Sequence, residues 1–220
     1  YYWPPKVGVG VQRWLKLSKY LTRDNHELII YTPEFMGANL KEPSLENIQV
    51  LKTSIFEPQT ILRSLVGLKY SADVLVRSKN SIINKILIFL RANLFIPDSR
   101  FLWIKKSVKY LDNFIKTNPI DVVISTGPPH SMHLIAQKIK SLHNIKWLAD
   151  FRDPWTDIEY FDKLPLLSFI KKKHIQLEKN IVTNADIVIS VSPTWTQLFN
   201  KMGAKHTFYL PNGYDSEDYP

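Results

Sequence analysis

The sequence contains no cysteine among its 220 residues. Disulfide bonds, zinc–thiolate sites and cysteine nucleophiles are therefore excluded, and the composition suits a reducing compartment such as the cytoplasm. Residues 1–5 carry neither a basic segment nor an apolar core, so we expect no secretory signal peptide there. The most apolar stretch, at 81–97, is interrupted by Lys85 and Arg91 and is shorter than the ~20 apolar residues of a spanning helix.

Basic residues are in excess: 29 Lys and Arg against 20 Asp and Glu give a net charge of +9. This excess favours an anionic partner, either a nucleic acid, a lipid surface or a phosphorylated small molecule. No basic–aromatic module typical of nucleic-acid binding is present, so we expect no nucleic-acid partner. The basic, apolar stretch at 81–97 fits either docking on anionic lipid or a helix buried against a sheet.

Strand-like and helix-like segments alternate along the chain. Strands are predicted at 26–32, 48–53, 121–126, 146–151, 186–192 and 207–211. Helices are predicted at 11–23, 58–94 with one or two breaks, 101–117, 131–142, 165–183 and 194–202. Continuous apolar strands between helices indicate an α/β fold with a doubly wound, mostly parallel, Rossmann-like sheet. Ligands of such sheets bind in the loops beyond the carboxyl ends of the strands.

The opening segment, YYWPPKVGVGVQRWLK, has a glycine-rich turn in front of a helix predicted to begin at Val11. Gly8 and Gly10 match the start of the dinucleotide fingerprint G-x-G-x-x-G, but Arg13 stands where the third glycine belongs. Glycines allow a ligand to approach the backbone closely, and a helix N-terminus favours an anion. The alternative is a tight turn that binds nothing.

The segment STGPPHSMHL ends one predicted strand and begins a helix, for which Ser131 is the expected cap. His130 and His133 are three residues apart, so they share a helix face if the helix includes His130. No third ligand is evident beside this pair, and we predict no metal site. In the later segment SVSPTW, Ser192 or Thr194 is the expected helix cap.

The segment ADFRDPW places Asp150, Arg152 and Asp153 at the end of another predicted strand. Burying charged groups there costs free energy unless they are paired with an opposite charge or take part in binding or catalysis. They favour a general base with an ion pair that orients it, or a phosphate site. The alternative is a structural Arg–Asp pair that closes the loop.

Together and in this order, these motifs resemble the N-terminal domain of family-4-type glycosyltransferases with the GT-B architecture. The opening segment is similar to that family's Pro-Pro and Gly-rich first loop, and ADIVISVSPTW with LPNGYD is similar to its last strand, helix and exit into the linker. STGPPHSMHL and ADFRDPW resemble motifs of a bacterial subgroup assigned to surface-polysaccharide synthesis. The resemblance covers nearly the whole chain.

The resemblance implies one half of a GT-B enzyme, with an acceptor-side domain over 1–211 and the start of a linker at 212–220. It also implies a strand directly before Tyr1 and a donor-binding domain after Pro220, so this fragment alone is expected to be inactive. The complete enzyme would be a retaining hexosyltransferase that moves a sugar from a nucleotide-sugar to a saccharide or lipid-linked acceptor. It would need no cofactor and would work in the cytoplasm, peripherally on the inner face of the membrane.

The same resemblance implies roles for individual residues. Asp153 would lie beside the acceptor hydroxyl, as a base or a sugar-orienting residue, with Arg152 and Asp150 supporting it. The implied donor- and acceptor-binding residues are Gly8, Gly10, Arg13, Thr126, Gly127, His130 and His133. Two alternatives to this function are a dinucleotide-binding oxidoreductase domain and a non-enzymatic anion-binding module.

Overall fold

The computed structural model of the protein describes residues 1–6, 8–34, 47–56 and 82–218. The chain divides into two compact units. One comprises Tyr1–Ile55 with Pro211–Pro220, and the other comprises Phe56–Leu210. The part of the predicted helical region that covers 58–81 lies outside the described residues.

The first unit contains helix α1 (Val9–Arg23) and two strands, β1 (Leu28–Glu34) and β2 (Ile48–Ser54). The strands pair in parallel, which confirms both strand predictions within two residues. Helix α1 begins at Val9 rather than at the predicted Val11, so Gly10 lies inside the helix and not in the turn. The turn depends on Gly8, whose φ of +122° is a conformation that side chains other than glycine rarely adopt.

The second unit alternates helices with four strands. Its described helices are α2 (Ile82–Leu94), α3 (Phe101–Ile115), α4 (Ser131–His143), α5 (Ser168–Asn184) and α6 (Pro193–Met202). Its described strands are β3 (Val122–Gly127), β4 (Lys146–Phe151), β5 (Ile187–Ser190) and β6 (Thr207–Tyr209). The strands form one parallel sheet in the order β3-β4-β5-β6, with a helix between each consecutive pair. The predicted α/β class with parallel, Rossmann-like sheets is confirmed.

The core of the second unit is built on β4. Trp147, Ala149 and Phe151 are fully buried on this strand, in line with its predicted apolar character. Side chains of α5 and α6 pack on them, among which Ile181 and Phe199 are also fully buried. Each such large apolar side chain contributes roughly 1.5–3 kcal/mol by leaving water. The strand that carries Asp150 at its end is therefore rigidly held.

Helix starts differ most from the sequence prediction. Helix α5 begins at Ser168 rather than 165, because Leu167 is held in an extended conformation, in which its backbone N donates to Asn93 Oδ1. Ser131 is not a cap but the first helical residue of α4, and His130 occupies the cap position. Ser192 does occupy the cap position of α6, but its side chain makes no capping hydrogen bond. No helix among the described residues has the length and apolar character required to cross a membrane.

Candidate functional site

The ends of β3 and β4 lie side by side, because Gly127 pairs with Phe151 in the parallel register. The loop after β3 carries His130, and the loop after β4 carries Arg152 and Asp153. Two of the sequence-predicted clusters therefore meet at the carboxyl edge of one sheet. This is the edge at which α/β sheets bind ligands.

Asp150 lies inside this edge rather than on its surface. Its side chain is completely buried, and its Oδ2 accepts a hydrogen bond of 2.9 Å from Thr126 Oγ1 on the neighbouring strand. The two residues are direct partners in the sheet register. Asp150 and Thr126 thus fasten the ends of the two strands together, which is a structural contribution to the site.

Arg152 fixes the turn after β3. Its backbone N donates to Gly127 O at 3.1 Å, and its Nε donates to the same oxygen at 3.3 Å. Its Nη2 donates to Pro128 O. Because a guanidinium presents several donors in one rigid plane, a single side chain can hold two consecutive carbonyls. The two loops are joined by Arg152.

Asp153 differs from its two charged neighbours. It is only half-buried, and within the described residues no hydrogen bond or ion pair to its carboxylate is found. Its charge reaches Tyr160, because burial and then the negative charge of Asp153 raise the pKa of that phenol. Of the three predicted catalytic residues, Asp153 has the carboxylate best placed to meet a ligand.

His130 and His133 are buried beside the same turn, at 6% and 0% exposure. Burial is the main cause that lowers the pKa of His133 to about 3, and the nearby Arg152 adds to it. Burial also holds the pKa of His130 well below its ordinary value, with smaller contributions from His133, Arg152 and His174. Both imidazoles are therefore neutral near pH 7, and neither offers a positive charge to a phosphate.

Ser125 is the shared hydrogen-bond partner of Trp147 and His133. Trp147 Nε1, which can only donate, hydrogen-bonds to Ser125 Oγ at 2.8 Å. Ser125 Oγ and His133 Nδ1 are also hydrogen-bonded, at 2.8 Å. The His133 ring stacks on Phe151 with 4.4 Å between centroids. The sequence-predicted pair is brought together, with 5.8 Å between the ring centroids.

The two imidazoles leave no room for a side chain at Gly127. A Cβ at this position would lie 2.5 Å from His133 Nε2 and 3.0 Å from His130 Nδ1. Any larger residue would have to displace buried rings from a close-packed site. The glycine thus lets the backbone of the loop lie directly against the histidines.

The remaining predicted residues belong to the first unit. Gly8 is the N-cap residue of α1, and Gly10 is the second residue of that helix. Arg13 Nη1 donates to Pro211 O at 3.2 Å and to Asn212 Oδ1 at 3.0 Å. Arg13 is thus engaged with the segment Pro211–Asn212, which the sequence did not predict.

That segment is anchored further by Asp215, which is 4% exposed. Its carboxylate accepts hydrogen bonds from Lys19 Nζ at 2.7 Å, Lys16 Nζ at 3.1 Å and Tyr20 OH at 2.9 Å. These contacts, above all the one with Lys19, hold the pKa of Asp215 far below its ordinary range. Asp215 therefore ties the residues after 210 to α1.

Sequence reasoning missed three residues that support the loops of the second unit. Asp98 accepts hydrogen bonds from Ser131 N at 2.9 Å and Ser131 Oγ at 2.8 Å. His174 and Glu178 on α5 contact Trp155. A signal for the last two was present, because they are four residues apart on the apolar face of a predicted helix, where a polar residue needs a buried partner.

Among the described residues no group of three or more His, Cys, Asp or Glu side chains is arranged to hold a metal ion. Among known families, the model described as Glycosyltransferase Family 4 matches residues 10–218. No curated protein matches the chain. The matched range includes every predicted site residue except Gly8.

Proposed function

The chain belongs to glycosyltransferase family 4, and from that premise we propose that it is the N-terminal, acceptor-side half of a GT-B enzyme. The enzyme transfers a hexose from a nucleotide-sugar to a saccharide or lipid-linked acceptor, with retention, in bacterial surface-polysaccharide or glycolipid synthesis. The observation that carries the proposal is the half-exposed Asp153 beside a turn held by Arg152. The family match favours this function over a dinucleotide-dependent oxidoreductase or a non-enzymatic anion-binding module.

In the proposed reaction the bond between the anomeric carbon and the diphosphate oxygen breaks. The acceptor oxygen bonds to that carbon and its hydroxyl proton leaves. Either Asp153 accepts this proton, or the departing diphosphate oxygen accepts it while Asp153 orients the sugar and stabilises the positive charge that develops on the ring. A preorganised carboxylate is suited to both roles, because Arg152 and Asp150 fix the loop that carries it.

The neutral histidines have a different part in the proposal. Because His130 and His133 are buried, at 6% and 0% exposure, they would shape the wall of the acceptor side from behind, without placing a positive charge there. His130 and His133, with Thr126 and Gly127, therefore form the acceptor side. In the first unit, Gly8, Gly10 and Arg13 at the start of α1 bind the diphosphate of the donor, because a helix N-terminus favours an anion.

Asp153→Asn tests this function in the full-length protein. We expect about a 100-fold or larger fall in kcat for release of nucleoside diphosphate from a panel of UDP- and GDP-sugars, with the donor KM within about twofold.

The matched control is Asp121→Asn. Asp121 is an exposed aspartate directly before β3, at the opposite end of that strand from Gly127. Asp121→Asn removes one negative charge, as Asp153→Asn does, and should leave kcat unchanged. Wild-type turnover in Asp153→Asn would contradict the proposed role of Asp153.

A second proposal concerns a membrane. Among its described side chains, helix α2 exposes five large apolar ones, Ile86, Ile88, Phe89, Leu90 and Leu94. Asn93 connects this helix to the segment before α5, since its Nδ2 donates to Pro165 O and its Oδ1 accepts from Leu167 N.

That segment extends the apolar surface, because Leu167 and Phe169 are also exposed. The same two helices carry exposed basic residues, Lys85 and Arg91 on α2 and Lys171 and Lys172 on α5. Exposed apolar side chains and positive charge on the same helices suit peripheral docking on an anionic bilayer, where the acceptor lipid would be found.

A further inference from the structure

Glu178 is a completely buried carboxylate in α5. Its Oε1 accepts a hydrogen bond of 2.7 Å from the backbone N of Trp155, and its Oε2 accepts one of 3.1 Å from the backbone N of Thr156. Thr156 Oγ1 donates to Oε2 as well. A buried carboxylate is costly unless donors converge on it, and here three donors come from two consecutive residues. Glu178 thus fixes the backbone immediately after Asp153 and Pro154.

His174 holds the same tryptophan by its side chain. Its Nδ1 accepts a hydrogen bond of 3.0 Å from Trp155 Nε1, and because an indole N–H only donates, this nitrogen carries no proton. His174 and Glu178 are four residues apart, so they lie on one face of α5. This face binds Trp155 at both its backbone and its ring.

Trp155 connects α5 to the loop after β3, which carries His130. It is 4% exposed, and its ring stacks on that of His130 with 4.9 Å between centroids and 2° between planes. Arg152, at the other end of the loop, holds Gly127 O. Asp153 therefore lies between two fixed points, one provided by Arg152 and the other by α5.

We propose that Glu178 and His174 are positioning residues for sugar transfer, which hold the loop 152–156 and with it Asp153 in the geometry that transfer requires. The inference rests on the proposed function, since it takes Asp153 as the residue beside the acceptor hydroxyl. Both residues act through Trp155 and Thr156, because each is buried behind the loop. Their loss should reduce the rate of the chemical step more than donor binding.

Three substitutions in the full-length protein separate this role from simple stability. Glu178→Gln keeps the shape of the side chain but replaces one acceptor oxygen with a donor. His174→Leu removes the acceptor for the Trp155 indole, whereas His174→Asn keeps an acceptor close to the Nδ1 position. The matched control is Glu159→Gln, which neutralises an exposed glutamate paired with Lys163 on the surface of the same unit.

We expect kcat to fall at least about tenfold in Glu178→Gln and His174→Leu, with the donor KM within about twofold, since small misplacements of a reacting group cost this much. The assay uses whichever UDP- or GDP-sugar the wild type turns over. His174→Asn should recover most of the lost kcat, and Glu159→Gln should match the wild type. If Glu178→Gln fails to fold, the two His174 variants still test whether α5 positions the same loop.

A spectroscopic readout needs no substrate. The chain has six tryptophans, so the indole N–H signal of Trp155 can be assigned in ¹⁵N-tryptophan-labelled protein by its loss in Trp155→Phe. The signal should shift in His174→Leu and return towards its wild-type position in His174→Asn. An unshifted signal in His174→Leu would refute the inference whatever the donor proves to be.

The two proposals fail in different ways. Wild-type kcat in both Glu178→Gln and His174→Leu, with the loss in Asp153→Asn intact, contradicts only the positioning inference. Wild-type kcat in Asp153→Asn contradicts the function proposed for Asp153, whatever the indole signal of Trp155 shows in the His174 variants.

Discussion

Three charged residues within four positions have three separate functions in this fold. Asp150 is buried in the end of β4 and binds Thr126, while Arg152 binds backbone carbonyls of the neighbouring turn. Asp153 alone keeps its carboxylate half-exposed. The separation arises where β4 ends, because side chains alternate between faces inside a strand and are released from that alternation in the loop. Adjacency in the sequence is thus compatible with entirely different environments.

The buried histidines predict a pH-dependent stability. The pKa of His133 is lowered to about 3 in the folded protein from an ordinary value of 6.5. Between these two pH values, His133 is protonated in the unfolded chain but stays neutral in the folded protein. The stability that His133 contributes is therefore complete above pH 6.5 and is lost as the pH falls, by about 1.4 kcal/mol per pH unit.

Urea unfolding between pH 7.5 and pH 5 measures this loss. The slope of unfolding free energy against pH should decrease by up to about 1.4 kcal/mol per unit in His133→Gln, because one titrating group has been removed. His206→Gln, which replaces an exposed histidine, is the control. An equal slope in the wild type and His133→Gln would mean that His133 becomes protonated in the folded protein.

At the scale of elements, α4 depends on a residue outside it. Asp98, between α2 and α3, accepts hydrogen bonds from both the backbone N and the hydroxyl of Ser131, which is completely buried. A carboxylate at a helix N-terminus is also favoured by the helix dipole. Asp98→Ala leaves two buried donors unsatisfied, so we expect the unfolding free energy to fall by about 1–3 kcal/mol.

The measurement is chemical unfolding of the wild type, Asp98→Ala and Ser131→Ala, with Asp121→Ala as an exposed control. The double variant should lose less than the sum of the two single losses, because both single variants disrupt the same contact. Strict additivity of the two losses would show that Asp98 does not stabilise α4 through Ser131.

The same contact shows what could be predicted from the sequence. Continuous apolar runs predicted β3 and β4 within one residue, because a short β-branched run bounded by turn residues is recognisable from its own composition, even though Val122 and Ile124 of β3 are exposed. The partner of Ser131 lies 33 residues away, and no local pattern identifies a contact over that distance. Ser131 was mispredicted as a cap for this reason, since Asp98 supplies the hydrogen bonds that a local cap would have supplied.

The same contrast between local patterns and contacts over a long sequence distance applies to the site. Asp153, Gly127 and the two histidines were predicted as site residues because they belong to compact motifs at strand ends. Glu178 and His174 were missed, although both lie within 25 residues of Asp153. Their partners become apparent only when α5 is packed against the loop after β4.

At the scale of the whole molecule, the net charge of +9 and the exposed apolar side chains of α2 predict binding to anionic membranes. The full-length protein should float with vesicles of phosphatidylcholine containing phosphatidylglycerol, and less with phosphatidylcholine alone. Lys85→Glu with Arg91→Glu should weaken binding by about tenfold or more, since each basic residue near an anionic surface contributes about 1 kcal/mol. Phe89→Ser with Leu94→Ser should weaken it in both vesicle types, because apolar burial does not depend on lipid charge.

Controls on other surfaces of the same unit make this test specific. Lys138→Glu with Lys146→Glu changes the net charge of the protein by the same amount but lies outside α2. If this pair weakens flotation as much as the α2 pair, attraction is a property of the overall charge, and α2 has no special role. Leu142→Ser, at an exposed leucine on α4, is the corresponding apolar control. Binding that withstands both α2 pairs would contradict docking through this helix, and its exposed apolar face would then need another partner.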